Sequence, residues 1–323
     1  MMRTKEELAY RIEEITGWKT NLSRFKIVTD TSDWMNIYKG DVIRLDCQDY
    51  LVRGNMREPR FGIDDQPKYW VFSAIDLENK TEKIIKTVFH EEFIAHIGIL
   101  KIRCYRSPEK ESEILELVRG DNRFMQGYMC NDEKGNNVRI IDYIKGESFF
   151  QYIPSIKKSH FQYFNEDLPI ILKNLLSSIE GIKFLHDNNL CHGDIRNDHL
   201  FIERETGLYR WIDFDLKQDV TDFDLWSMGN ILSYTVGKGI ITFSAIQKSE
   251  EYPSSLKNSL SYEDSSAFYS YRIMNLKKIF PYIPDNLSKI LKKFTIKPIA
   301  YYTNLAEFIE DYKNMLVKDF NII

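Results

Sequence analysis

The sequence predicts an α+β fold in two parts, a small antiparallel β-sheet part followed by a larger, mainly helical one. Three observations predict it. At 323 residues the chain exceeds what one hydrophobic core usually organises. Residues 40–89 carry short apolar, β-branched runs separated by turn residues. From Leu168 onward, apolar residues instead recur every three and four positions, the period of a helix with one buried face.

Composition narrows the function classes. Hydrophobic residues make up 43% of the chain and charged residues 28%, enough apolar area for a core and unlike a disordered chain. A net charge of −4 gives no electrostatic reason for a nucleic-acid partner. Cys47, Cys104, Cys130 and Cys191 lie far apart with no Cys-x-x-Cys spacing, so reduced, mostly buried thiols are expected rather than a zinc site or disulfide framework. Residues 1–15 are charged throughout, unlike a signal peptide, and no uncharged apolar run reaches about 18 residues. The expectation is a soluble, cytoplasmic protein with no membrane partner.

The elements follow in order. Thr4-Lys5-Glu6-Glu7 reads as a capping box and Gly17 as a stop, giving a short helix inside an N-terminal extension over residues 1–39. Strands are expected at Val42–Leu45, Asp49–Val52, Tyr69–Ile75 and Lys83–Phe89, the last two flanking the turn Glu78-Asn79-Lys80-Thr81. Residues 90–106 read as an insertion. Ser107-Pro108-Glu109-Lys110 opens a helix with a cap, a proline in the first turn and an acid, and places Ile114, Leu115 and Val118 on one face. Two more strands, Phe124–Met129 and Val138–Ile144, end the β-rich part at residue 144. In residues 145–323 the long helix is expected over Asp167–His186, a hairpin over residues 201–212, a helix from Asp222, and further helices over residues 252–316.

Between the long helix and the hairpin lies Leu190-Cys191-His192-Gly193-Asp194-Ile195-Arg196-Asn197-Asp198-His199-Leu200-Phe201, and the hairpin ends on Asp213-Phe214-Asp215. A polar loop carrying Asp194, with Asp213 19 residues on after two apolar strands, is the layout of a phosphoryl-transfer site. One carboxylate orients the acceptor hydroxyl and takes its proton; the other holds a metal on the nucleotide phosphates. The stretch resembles the catalytic loop and metal-binding strand of the protein-kinase-like superfamily, in the His-Gly-Asp form that aminoglycoside and choline kinases share. The likeness points to a bacterial serine/threonine-kinase-like protein with the bilobal kinase fold, residues 40–144 forming the small lobe and 145–323 the large one.

The resemblance implies roles residue by residue. Asp194 is the base or hydroxyl-orienting carboxylate, Arg196 the cation that neutralises the transferring phosphoryl group, and Asp213 the metal ligand. His192 braces the loop, and Asp224, opening Asp224-Leu225-Trp226-Ser227-Met228-Gly229, caps its helix and holds the loop backbone. Lys86, in Ile84-Ile85-Lys86, is the phosphate lysine, with Lys101 as rival, and Glu111 is its partner on the helix. Gly54, Phe61 and Gly62 stand where a phosphate-covering turn belongs, although no Gly-x-Gly-x-x-Gly is present and the glycines equally suit plain turns. Backbone groups of Asp142 to Ile144 meet the adenine edge.

Two departures shape the functional expectation. The metal-binding Asn expected five residues after Asp194 is His199, a softer donor that weakens the site, abolishes it or favours manganese over magnesium, with Asp198 as the alternative ligand. Only 11 residues separate Asp213 from Asp224, leaving no room for an activation segment. The reading is an ATP- and Mg2+- or Mn2+-dependent kinase acting on a hydroxyl of a protein or a small molecule. The alternatives are a nucleotide-binding pseudokinase scaffold and AMP transfer on the same fold.

Overall fold

A computed structural model describes residues 2–19, 21–60, 63–97, 100–220 and 222–322. The chain divides into two compact units: residues 1–91, 106–121 and 125–144 form the first, and residues 92–105, 122–124 and 145–323 the second.

Helix α1 (Lys5–Thr16) starts in the expected capping box, Thr4 accepting from the Glu7 amide and Glu7 from the Thr4 amide, and stops at Gly17 in the left-handed conformation. Strands β1 (Ile27–Val28), β2 (Val42–Leu45), β3 (Gln48–Arg60), β4 (Ile63–Asp76) and β5 (Glu82–Lys86) follow. The chain then makes β6 (Glu92–Ile97) and β7 (Leu100–Arg106), an antiparallel hairpin that lies in the second unit up to Tyr105. Back in the first unit come α2 (Pro108–Leu117), β8 (Gly127–Asn131) and β9 (Asn137–Asp142). The first unit's sheet has the order β1-β2-β3-β4-β5-β9-β8, antiparallel except for β1 against β2.

Period-two alternation sorts this sheet's side chains. Ile43, Leu45, Tyr50, Val52, Phe72, Ala74, Ile85 and Ile140 share one buried cluster, while Val42 and Leu51 point the other way onto Leu8, Ile12 and Phe25. Leu8 and Ile12, four apart on one face of α1, thus tie the N-terminal segment to the sheet; each such burial contributes about 1.5–3 kcal/mol. Gly54 sits at a bulge in β3 with φ of +148°, backbone that an L side chain resists. Phe61 and Gly62 lie outside the described residues.

The strand expected at Phe124–Met129 begins three residues later. At that start the Gly127 backbone approaches β9 so closely that a Cβ there would lie 2.4 Å from the Ile140 carbonyl oxygen. Phe124 belongs to the second unit instead, its ring 6.0 Å from Phe214 and 6.5 Å from Phe184.

The second unit continues with β10 (Gly146–Ser148), α3 (Phe149–Ser155), α4 (His160–Glu166), α5 (Leu168–Asp187), β11 (Leu200–Glu203), β12 (Tyr209–Trp211), β13 (Leu216–Gln218), α6 (Phe223–Val236), α7 (Phe243–Lys248), α8 (Ser254–Ser259), α9 (Asp285–Lys292) and α10 (Leu305–Phe320). Strands β10, β11 and β12 form one small sheet and β13, β7 and β6 another. Helix α5 buries Leu168, Ile171, Leu172, Leu175, Ile179, Ile182 and Leu185, as their spacing requires. Tyr312 of α10 donates to the Leu172 carbonyl (2.9 Å), and Trp211 of β12 to that of Ser178 (2.9 Å), so both helix and hairpin are pinned to α5. Among the described residues no helix is long and apolar enough to cross a membrane. All four cysteines are free; Cys104 and Cys130 are buried, Cys191 is half-buried, and Cys47, against expectation, is exposed on the turn between β2 and β3.

Candidate active site

In the first unit the charge cluster starts from sheet register. Lys86 on β5 pairs directly with Arg139 on β9, which sets two cations side by side. Helix α2 supplies the compensating charge. Ser107 caps it by accepting from the Lys110 amide, and Glu111 projects from its first turn. One Glu111 oxygen takes the Lys86 ammonium at 2.8 Å, the other the Arg139 guanidinium at 3.2 Å. Lys86, Glu111 and Arg139 are 5%, 0% and 1% exposed, so the carboxylate is shared in a dry setting where Coulomb attraction is strong. Arg139 is further held by the Asn137 carbonyl at 2.7 Å and the Thr87 carbonyl at 3.3 Å. Lys101, the rival lysine, is an exposed residue of β7 in the other unit, paired in register with His96.

The strand end at Asp142–Ile144 is less open than expected. The Asp142 amide donates to the Gln126 carbonyl (2.9 Å) and the Tyr143 amide to that of Glu82 (3.3 Å). The Asp142 carboxylate, itself exposed, pairs with Lys83. Of the three amides, that of Ile144 makes no hydrogen bond among the described residues.

In the second unit the loop after α5 is organised by one carboxylate. Asp224 lies inside the first turn of α6, whose N-cap position is held by Asp222, so it does not cap the helix. Instead it accepts from the His192 amide (2.7 Å) and the Gly193 amide (2.8 Å), with His186 of α5 at 3.0 Å. Burial pushes the Asp224 carboxyl up, but the His186 hydrogen bond, the fields of His192 and His186, and the Gly193 amide outweigh it and hold it below its ordinary range. Gly193 meets this clasp with φ of +83°.

His192 is fully buried, with Trp211 and Phe214 edge-on at 5.2 and 4.9 Å. Its Nδ1 accepts from the Asp194 amide at 3.3 Å. It therefore braces the loop from inside, between the hairpin and the residue after Asp213.

His199 is the centre of the arrangement. Nδ1 lies 2.8 Å from the Asp194 carbonyl oxygen, which can only accept, and Nε2 lies 3.0 Å from Arg196 Nη2, which can only donate. The ring is therefore the neutral tautomer with its proton on Nδ1. Two carboxylates flank it, Asp194 Oδ2 at 3.6 Å from Nδ1 and Asp213 Oδ2 at 3.5 Å from Nε2. Asp213 takes φ of +67°, rare for a residue other than glycine, and carboxylate oxygens of Asp213 and Asp215 lie within 4.8 Å of each other.

The Asp213 and Asp215 carboxylates suit a divalent cation, and His199 Nε2, 3.5 Å from Asp213, offers a nitrogen donor beside one of them. An imidazole with its Nδ1–H fixed on a carbonyl and its other nitrogen beside a carboxylate is the arrangement metal-ligating histidines usually have. The nitrogen donor tilts preference from magnesium toward manganese. The guanidinium of Arg196, an exposed residue, grips Asp198 through two bonds, at 3.1 and 2.6 Å, besides reaching His199.

Sequence reasoning missed three participants. Arg139 and His186 carried no motif, and only the strand register and the helix end reveal them. Asp215 was visible as the second acid of Asp213-Phe214-Asp215, where its i, i+2 spacing was the available signal.

No protein-family model matches the chain. The chain is similar to serine/threonine-protein kinase SKM1 of Saccharomyces cerevisiae, 26% identical over 152 residues. The alignment covers 43% of this chain and 22% of that protein, so the chain spans well under half the length of the relative it matches. The likeness is a distant, kinase-like relationship over part of the chain.

Proposed function

We propose that the chain is an ATP-dependent phosphotransferase of the protein-kinase-like type, acting on a hydroxyl of a protein or small molecule. The observation that carries this reading is the pair of carboxylates, Asp194 and Asp213, on either side of one neutral imidazole. In this reading Asp194 accepts the acceptor's hydroxyl proton as that oxygen bonds the γ-phosphorus and ADP leaves. Asp213, His199 and Asp215 hold the divalent cation, which when bound neutralises charge on the phosphate oxygens. Lys86, held by Glu111, offers a fixed positive charge to the nucleotide's phosphates. Asp224 and His192 fix the loop backbone so that Asp194 does not have to be ordered when substrate arrives.

The test is mass spectrometry of the protein and of a cell extract after incubation with ATP and Mg2+ or Mn2+. A phosphoryl increment is expected with the wild type and not with Asp194→Ala, which still binds ATP by calorimetry. Equal transfer by that variant sinks the assignment, and an adenylyl increment redirects it to AMP transfer.

One observation favours a second reading. Arg196 Nη2 donates to the His199 lone pair that a cation would need. A chain that keeps this bond when nucleotide binds is a pseudokinase scaffold, with ATP affinity indifferent to divalent metal and no turnover.

A further inference from the structure

Residues 92–105 stand in the chain between Lys86 and Glu111, yet they cluster with the second unit. There β7 is the central strand of three, with β6 on one side and β13 on the other. Strand β13, Leu216–Gln218, starts directly after Asp215. A three-residue strand has too few ladder bonds to persist unless a neighbour holds it.

The same hairpin supplies its apolar contacts. Ile102 and Cys104 form a buried cluster with Leu216, and Ala95, Val220 and Phe223 pack against it. Phe223 opens α6, next to the Asp224 that accepts the His192 and Gly193 amides. The cluster therefore grips the link 216–223 at its start, middle and end. On one side of that link lie the Asp213 and Asp215 carboxylates, and on the other the residue that clasps the loop. Burial pushes the Cys104 thiol up, and the charge of Asp194 adds to it.

We infer that the β6–β7 hairpin is a positioning device: Ile102 and Cys104, acting through Leu216, Val220 and Phe223, keep Asp213 in its left-handed backbone conformation beside His199. Such a conformation persists at a non-glycine residue only where the surroundings hold it on both sides. With 11 residues from Asp213 to Asp224, the link is too short to build its own support, and the insertion provides it. The order of the site is then set by the fold itself. The consequence for catalysis rests on the phosphotransferase reading; the hold on residues 213–223 does not.

Hydrogen exchange on the full-length protein tests it, with the graded series Ile102→Val, Ile102→Ala and Ile102→Ser. Amides of residues 213–223 are expected to exchange faster at each step, by about two- to tenfold for valine, the scale set by removing one buried methylene, and by more for alanine. Protection of α5 stays at the wild-type level in the valine variant, and alkylation of Cys104 accelerates in parallel with exchange. The metal concentration that half-saturates ATP turnover rises along the series, more than the rate at saturating metal falls. Unchanged exchange at 213–223 in the valine variant, or a rise only together with α5, overturns the proposal. A wild-type protein without ATP turnover sinks the phosphotransferase reading instead and leaves the exchange result standing.

Discussion

The two charged clusters are built on opposite terms. In the first unit, Glu111 is shared between Lys86 and Arg139 inside a sheet and helix, with opposite charges in direct contact and nearly no exposure. In the second, two carboxylates, Asp194 and Asp213, flank one neutral imidazole, and Asp215 stands within 4.8 Å of Asp213. Opposite charges in contact offset their own desolvation, whereas like charges held close repel until a cation or proton joins them. The first cluster is thus a structural element that orients a lysine. In the second, Asp224 and His192 hold the backbone of the loop that carries Asp194.

Four measurements break or sharpen this contrast. The largest effect belongs to the carboxylate side: Asp194→Ala is expected to slow phosphoryl transfer by about a hundred- to ten-thousandfold in a single-turnover assay, the range of general-base catalysis, with the denaturation midpoint little changed. On the paired side the effect is on folding. Glu111→Ala takes the shared carboxylate from two buried cations and should cost about 3–5 kcal/mol in urea unfolding, whereas Lys86→Met combined with Glu111→Leu recovers part of that loss. If the single variant is as stable as wild type, the cluster is not the charge pair described.

Asp224→Asn comes next, at about 2–3 kcal/mol for weakening hydrogen bonds to a charged acceptor. The sign with pH is fixed by its depressed carboxyl. The stability it contributes is present in full above its ordinary value of 3.8 and is lost as pH falls through its lower folded-state value. The gap between wild type and variant in chemical denaturation should therefore be constant near neutrality and close only below pH 3.8. The smallest effect is chemical. Cys47 should alkylate readily in the native protein, while Cys130, buried and with its thiol pushed up to about 12, should react only on unfolding.

Legibility from the sequence followed the range of the interaction. Signals confined to a few residues were readable: the capping box at Thr4, the Ser107 cap and the three-and-four spacing of α5 each matched the element that formed. The polar loop was readable as a motif because its residues are adjacent. What failed depended on partners far away in the chain. Arg139 became part of the Lys86 cluster only through the register of β5 against β9, and a register is not written in either strand alone. Asp224 was expected both to cap its helix and to hold the loop backbone; the cap position falls on Asp222, and the carboxylate is taken by amides 32 and 31 residues away. Strand β13 is too short to show periodicity, so the insertion that pairs with it carried no readable purpose.

The neck of that insertion has a consequence for how the protein is made. Where β6 leaves and β7 returns, the Arg106 amide donates to the Glu91 carbonyl at 2.9 Å and the two side chains pair at 3.2 Å. For the first unit the excursion is closed at its base, so its sheet can assemble as though residues 92–105 were absent, at little loop-closure entropy. The hairpin's own partners, residues 216–223, leave the ribosome about a hundred residues later. During synthesis the β-rich unit can finish while the hairpin waits, and docking of β7 against β13 becomes a late step that joins an early-made segment to a late-made one.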